Sequence, residues 1–368
     1  MPKINRRTRG DVPYQTPAEP SVRGALAPDV SGSTETGEST SAEPLTVKEI
    51  IRESHEVDMF YMCRAYSEEN RPGFHANEDR FFCEEHVRSK NSELIDMFIV
   101  GVLDGHDGAV AADMVADQLP ALVFNQCFLD QRKVHEAHVG GFEEIEKTLA
   151  KTGSTAGCCA NSCVVWGKYL WCANLGDCRA VWIPLNNADS ATFDTGAFCW
   201  MSRDLKASAP YEVERIRSCG WRVSDGRVEG LEPTRTIGDF DVKAKVPKGV
   251  ISIVPETRMV DMVAEARKKD KDATDVQGLL VQATDGIWDC VNGQDILNVI
   301  KTKQKSVRQL QKYLATAGKD FDPEHQVAAV LERIAGDVVT LALTKGSSDD
   351  CTVILTCVSV QPRSVEGK

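Results

Sequence analysis

The chain has 368 residues, 42% of them hydrophobic and 27% charged, and a formal net charge of −12. That balance is ordinary for a soluble globular protein, and the acidic excess excludes the basic footprint that nucleic-acid binding needs. No apolar run approaches the roughly 18–20 residues of a membrane span. The opening stretch Met1-Pro2-Lys3-Ile4-Asn5-Arg6-Arg7 lacks the apolar core of a signal peptide, and Pro2 stands where myristoylation requires glycine. A cytosolic or nuclear address is therefore expected. Thirteen cysteines include no C-x-x-C pair, and most lie in apolar strings such as Cys351–Cys357. Buried free thiols in a reducing compartment are expected, in preference to disulfides or zinc.

Residues 1–44 are rich in Pro, Ser, Thr, Glu and Gly and offer too few large apolar side chains to offset the entropy of ordering, so they read as a disordered tail. Its Arg6, Arg7 and Arg9 form a solvated basic end or a weak nuclear signal. A globular domain follows over 45–361, with a short tail at 362–368. Strand-like runs recur at Met97–Leu103, Ser162–Trp166, Tyr169–Asn174, Arg179–Ile183, Gly278–Ala283 and Thr352–Cys357. Gly167-Lys168 and Gly176-Asp177 separate neighbouring runs by so few residues that both read as hairpin turns. Helical spacing appears at Val110, Met114, Val115 and Leu119, at Val213 and Ile216 before Gly220, and from Val327 through Val330, Leu331, Ile334, Val338 and Leu341 to a stop at Gly346. Hairpins with long amphipathic helices give an α+β domain of antiparallel sheets covered by helices.

The chemistry-bearing pattern is an aspartate at the end of a buried run. Met97–Leu103 runs into Asp104-Gly105-His106, and Gly278–Ala283 leads through Thr284 into Asp285-Gly286-Ile287-Trp288-Asp289. Asp349-Asp350 precedes Thr352–Cys357, and Glu78-Asp79 precedes Phe81-Phe82. One Asp-Gly step is usually only a turn. Several carboxylates at one edge of a core repel one another and lose hydration, which is costly unless a cation neutralises them. Oxygen ligands alone favour hard ions, Mg²⁺ or Mn²⁺, over zinc.

Asn77-Glu78-Asp79-Arg80, Asp104-Gly105-His106, Gly153-Ser154-Thr155-Ala156, Ala173-Asn174-Leu175-Gly176-Asp177-Cys178-Arg179, Thr234-Arg235-Thr236-Ile237-Gly238-Asp239, Asp285–Asp289 and Ser348-Asp349-Asp350 occur in that order. The series resembles the signature set of the type 2C, metal-dependent protein serine/threonine phosphatases. The resemblance implies an antiparallel β-sandwich flanked by helices, with two Mg²⁺ or Mn²⁺ ions at one end. It implies Asp79, Asp104, Asp285, Asp349 and the Gly105 carbonyl as ligands, and Glu78 as an outer carboxylate acting through water. Asp177 and Asp289 match a looser site for a third ion. His106 is the candidate general acid for the leaving serine or threonine oxygen. The ions would bridge a water, lower its pKa and offset the phosphate charge, which answers the repulsion an acidic chain would exert on a phosphoprotein substrate. A monomer with a phosphoprotein partner, no nucleic acid and no membrane is expected. Met201–Val246 resembles the family's substrate-shaping flap, with Leu205 where histidine is usual.

One departure stands out. The phosphate-binding arginine usual five residues before the first metal aspartate is replaced by Phe74, with Arg71 and His75 as nearby substitutes. Phe74 supports the alternative of a weak or inactive phosphatase-like scaffold, which the complete carboxylate set opposes. Cys357-Val-Ser-Val-Gln-Pro-Arg363 has the spacing of a cysteine-dependent phosphatase, but it lacks the glycines and following helix that cradle phosphate. No Walker loop is present.

Overall fold

The computed structural model describes residues 45–69, 76–90, 93–185, 198–268, 271, 273, 275–316 and 324–363. The readings made on 1–44, on Arg71, Phe74 and His75, and on residues 364–368 of the C-terminal tail lie outside these. In chain order, helix α1 (Val47–Ser54) leads into strands β1 (Val57–Glu68), β2 (Arg80–Lys90) and β3 (Glu93–His106). Helices α2 (Val110–Phe128) and α3 (Val134–Leu149) follow, then β4 (Gly157–Trp166), β5 (Tyr169–Leu175), β6 (Arg179–Pro184) and β7 (Cys199–Trp200). An excursion holds α4 (Pro210–Ser218), β8 (Ile237–Gly238) and α5 (Phe240–Lys243). It returns through β9 (Glu256–Asp261), α6 (Met262–Arg267), β10 (Val276–Ala283), α7 (Asp285–Trp288), α8 (Gly293–Thr302), α9 (Gln304–Thr316), α10 (Glu324–Thr344) and β11 (Cys351–Pro362).

Among the described residues, one sheet has the order β1-β11-β10-β6-β7 and the other β2-β3-β4-β5-β9, with β8 also paired to β4. The pairings of the named strands are antiparallel. Val100, Val102, Val165, Trp182, Leu280 and Ile354 fill the space between the sheets. Met97, Ile99 and Leu103 face the other way, onto Val115 and Leu119 of α2 and Ile145 of α3. On the opposite outer face, Val281 and Leu355 pack on Leu331, Ile334 and Val338 of α10. The α+β sandwich is thus four layers deep. Every residue of β4 and β5 is buried, because such strands have protein on both faces and read as continuous apolar runs.

Two expectations need correction. The Gly167-Lys168 step is a hairpin between β4 and β5, but Gly176-Asp177 is not. β5 pairs with β4 and β9, whereas β6 pairs with β10 and β7 in the other sheet. The short step is therefore a crossover between layers, and spacing alone does not distinguish the two. The second correction is a disulfide from Cys63 to Cys83. It ties β1 to β2, the edge strands on one side of both sheets. The other eleven cysteines are free. Cys357 lies buried in β11, where burial pushes its thiol up to about 12, so it is no nucleophile.

A buried polar chain crosses the sandwich beneath the strand ends. Gln282 Nε2 of β10 donates to Asn161 Oδ1 (2.9 Å) and to the Asn161 carbonyl (3.0 Å) in β4. Asn161 Nδ2 donates to Asn174 Oδ1 (2.8 Å), and Asn174 Nδ2 donates to the carbonyls of Gly176 and Arg203 (both 3.0 Å). Removing one member strands the others without water. Gln282→Leu should therefore lower unfolding stability in urea by about 1–3 kcal/mol, the cost of an unsatisfied buried acceptor. Wild-type stability in that variant would show that the chain does not tie the sheets together.

Candidate metal centre

Four strand ends and one crossover converge at one end of the sandwich. β3 stays paired with β4 through His106, opposite Gly157, so Asp104-Gly105 is the last part of a strand and not a turn. Thr284 ends the β10 run, and Asp285 opens α7. Asp349 and Asp350 lie just before β11, and Glu78 and Asp79 just before β2. The two Asp-Gly steps permit close approach. A Cβ on Gly105 would lie 2.5 Å from the Glu78 carbonyl oxygen, and one on Gly286 would lie 1.9 Å from that of Asp350.

Backbone and hydroxyl donors fix these segments to one another. The Glu78 N–H donates to Asp350 Oδ2 (3.0 Å), and the Gly108 N–H donates to Glu78 Oε1 (2.8 Å). Thr284 Oγ1 donates to Asp79 Oδ2 (2.9 Å), and the Asp79 N–H to Asn77 Oδ1 (2.8 Å). Arg80 clamps the same turn by donating to the carbonyls of Asn77 and Asp79 (2.8 and 2.7 Å).

Asp104, Asp177 and Asp285 each offer a carboxylate oxygen within 4.8 Å of the others. Their electrostatics is that of charges crowded out of water. Burial lifts Asp104 well above the usual carboxylate range, and the charges of Asp285, Asp79, Asp177 and Asp349 lift it further. Burial raises Asp79 to about 7, with Asp350 and Asp349 adding to the rise and bonds from Thr352 and Thr284 easing it. Burial raises Asp285 to about 8, with Asp177 and Asp289 contributing and Lys206 opposing. Asp177 is raised by burial, against the pull of Lys206. Such a set is stable as charged groups only with added positive charge. The donor atoms are all oxygen, which fits a hard divalent cation.

The remaining residues singled out in the sequence take definite places. Asp349 is exposed at the rim, and Asp289 is exposed where α7 ends. Asp177, matched by the resemblance to a looser third-ion site, lies beside Asp104 and Asp285. His106 is half-buried, and its Nε2 lies 2.8 Å from Asp239 Oδ1. Burial pulls its pKa down, but the hydrogen bond and charge of Asp239 lift it above the ordinary histidine value.

Asp239, Asp350, Thr284 and Lys206 were not assigned roles from the sequence. Asp239 carried a signal, since it closes the Thr234–Asp239 motif. Lys206 reaches the centre from the excursion after β7, with Nζ 3.5 Å from Asp177 Oδ2, 3.3 Å from Asp289 Oδ1 and 3.2 Å from Glu232 Oε1. Leu205 beside it is fully buried, so the leucine serves packing.

Comparison with known proteins places this arrangement. The family model described as Protein phosphatase 2C matches residues 65–351. The Paramecium tetraurelia protein named Probable protein phosphatase 2C 5 is 29% identical over 247 residues, 62% of this chain and 76% of its own. The Homo sapiens protein named Probable protein phosphatase 1N is 29% identical over 275 residues, 73% of this chain and 55% of its own. A phosphatase structure from a pathogenic strain of Toxoplasma gondii shares the fold with a TM-score of 0.55 at 18% identity, covering 85% of this chain and 96% of that one. A C. elegans sex determining protein gives 0.56 at 19% identity, covering 80% and 64%. The family match contains every carboxylate of the centre from Glu78 to Asp349, and the chain belongs to the protein phosphatase 2C family.

Proposed function

We propose that the protein hydrolyses phosphoserine and phosphothreonine in protein substrates at a centre for two Mg²⁺ or Mn²⁺ ions. The observation that carries this reading is the convergence of Asp104, Asp177 and Asp285 within 4.8 Å, at burial that makes their charges mutually costly. Asp79, Asp104, Asp285 and Asp349, with the Gly105 carbonyl, would hold the ions, and Glu78 would act on them through water. When bound, the cations would supply a water of lowered pKa and offset the phosphate charge. The chain's own residues do the rest. Thr284 and Arg80 hold the Asp79 segment in place, and the Asp239 carboxylate orients the His106 ring. His106 would then deliver a proton to the departing oxygen.

Chelation with EDTA should abolish hydrolysis of a phosphothreonine peptide, and Mn²⁺ or Mg²⁺ should restore it. Asp285→Asn should cost more than the about 10–100-fold typical of losing an outer-shell partner, with the far-ultraviolet circular dichroism unchanged. Full activity in excess chelator would sink the reading. No turnover in the wild-type protein, with no Mn²⁺ uptake by calorimetry, would favour the scaffold that Phe74 suggests.

His106→Ala should slow phosphopeptide hydrolysis by about 10²–10⁴-fold. It should slow p-nitrophenyl phosphate far less, because that leaving group needs little protonation. Equal losses on the two substrates would assign His106 to structure instead.

The raised carboxylates also predict how the cation-free protein responds to pH. Folded Asp79 and Asp285 keep their protons up to about 7 and 8, against an ordinary value of 3.8. The folded state therefore binds more protons within that window. Its contribution to stability is complete below about pH 4 and is lost as pH rises through 7–8. Saturating Mg²⁺ should raise Tm by more at pH 8 than at pH 5. A gain independent of pH would mean that these carboxylates do not meet the ion.

A further inference from the structure

Lys206 lies within the acidic centre but arrives on a separate segment, and the backbone fixes where it sits. The Leu205 N–H donates to the Gly176 carbonyl (2.9 Å), and the Thr234 N–H donates to the Leu205 carbonyl (2.8 Å). Lys206 itself forms a bridge with Pro233. The segment is thereby docked one residue from Asp177. The lysine side chain is only 11% exposed, and its ammonium touches Asp177, Asp289 and Glu232 at 3.2–3.5 Å.

These three carboxylates come from three places: the crossover between β5 and β6, the end of α7, and the excursion itself. The ammonium donates a hydrogen bond to Asp289 Oδ1 (3.3 Å) and is ion-paired with the other two. Asp177 and Asp289 are also the pair that the family resemblance matches to a looser, third-cation site. A divalent ion binds carboxylate oxygens at about 2.0–2.6 Å. One shared by Asp177 and Asp289 would therefore lie close to Nζ and meet its like charge in a partly desolvated setting, where such repulsion is large.

We propose that the Lys206 ammonium is a tethered competitor for the third cation, occupying the space between Asp177 and Asp289 so that a third ion binds only by displacing it. The proposal rests on the two-cation reading above. It differs from a phosphate-gripping role, in which the ammonium would face the substrate and not the gap between Asp177 and Asp289. The two main ions are served by Asp79, Asp104, Asp285 and Asp349. The tether therefore sets the number of ions and the affinity of the weakest one, and leaves the core pair in place.

The test is a calorimetric titration of Mn²⁺ into the full-length protein, its Lys206→Met variant, which removes the charge at similar length, and Lys206→Arg, which keeps it. Lys206→Met should gain a third ion, or bind it at least about tenfold more tightly, a gain larger than any change at the two stronger sites, where Lys206 acts only at a distance on Asp285. Lys206→Arg should behave as the wild type, and adding Asp177→Asn to Lys206→Met should remove the gain. Melting curves check that each variant folds. An unchanged third-ion affinity in folded Lys206→Met overturns the proposal. If the KM for a phosphopeptide rises in that variant with Mn²⁺ binding unaltered, Lys206 is a phosphate contact instead. Absence of any Mn²⁺ binding in the wild type overturns the two-cation reading and this proposal with it. Two tight ions in both proteins and no change in the third would overturn the proposal alone.

Discussion

Carboxylates sharing a desolvated space cannot all carry charge unless something positive joins them, and this constraint shapes the whole end of the sandwich. Asp79, Asp104, Asp177 and Asp285 come from four separate segments, each delivered by an element buried for reasons of its own. β3 and β10 are held by apolar packing on both faces, so the residues that follow their last buried positions have little freedom to move apart. The sandwich supplies the rigidity, and the electrostatic cost concentrated at its end is offset only by cations. Among the described residues the Lys206 ammonium is one such charge, and the proposed divalent ions would supply more.

The excursion between β7 and β9 has its own small core, including Ala207, Ile216, Val228 and Val250. A buried ion-pair network pins it. Glu212, 1% exposed, accepts from Arg235 Nη2 (2.6 Å), Arg215 Nε (2.8 Å) and Thr234 Oγ1 (2.6 Å). Burying one carboxylate against two guanidiniums is tolerable because its lone pairs are so fully engaged. The network ties together the parts of the excursion from which Lys206 and Asp239 reach the centre.

Much of the site was legible because its chemistry lies on buried strands. The apolar runs that became β3 and β10 lead into aspartates and the run that became β11 follows a pair of them, and a local pattern of that kind survives without knowledge of the fold. What was not legible depended on pairing across the chain. The short step at Gly176-Asp177 looked like a hairpin, yet it changes sheets, and that change is what carries Asp177 to Asp104 and Asp285. β1 escaped notice because its residues are only partly covered, so its sequence mixes polar and apolar residues without a clear period. The Cys63–Cys83 link joins strands of different sheets, a proximity no spacing rule contains. Lys206 is 29 residues from Asp177 and 83 from Asp289, and nothing local marks it as their partner.

His106 and the carboxylates are anchored by different means, and the distinction bears on how the centre works. The carboxylates depend on strand ends and on turns clamped by Thr284 and Arg80. His106 leans instead on Asp239, a residue 2% exposed and held at φ 52°. This left-handed conformation is unfavourable for a side chain other than glycine, although aspartate tolerates it better than most. Asp239 caps the start of α5, its carbonyl accepting from the Lys243 N–H (2.8 Å), so the helix that follows stabilises the conformation. Among the described residues its second oxygen, Oδ2, is buried without a protein hydrogen-bond partner. On the proposed reading, the positioning of the proton donor depends on the excursion through Asp239, whereas the cation site would lie mainly in the sandwich, and a substitution that loosens the excursion should impair the leaving-group step before it empties the metal centre.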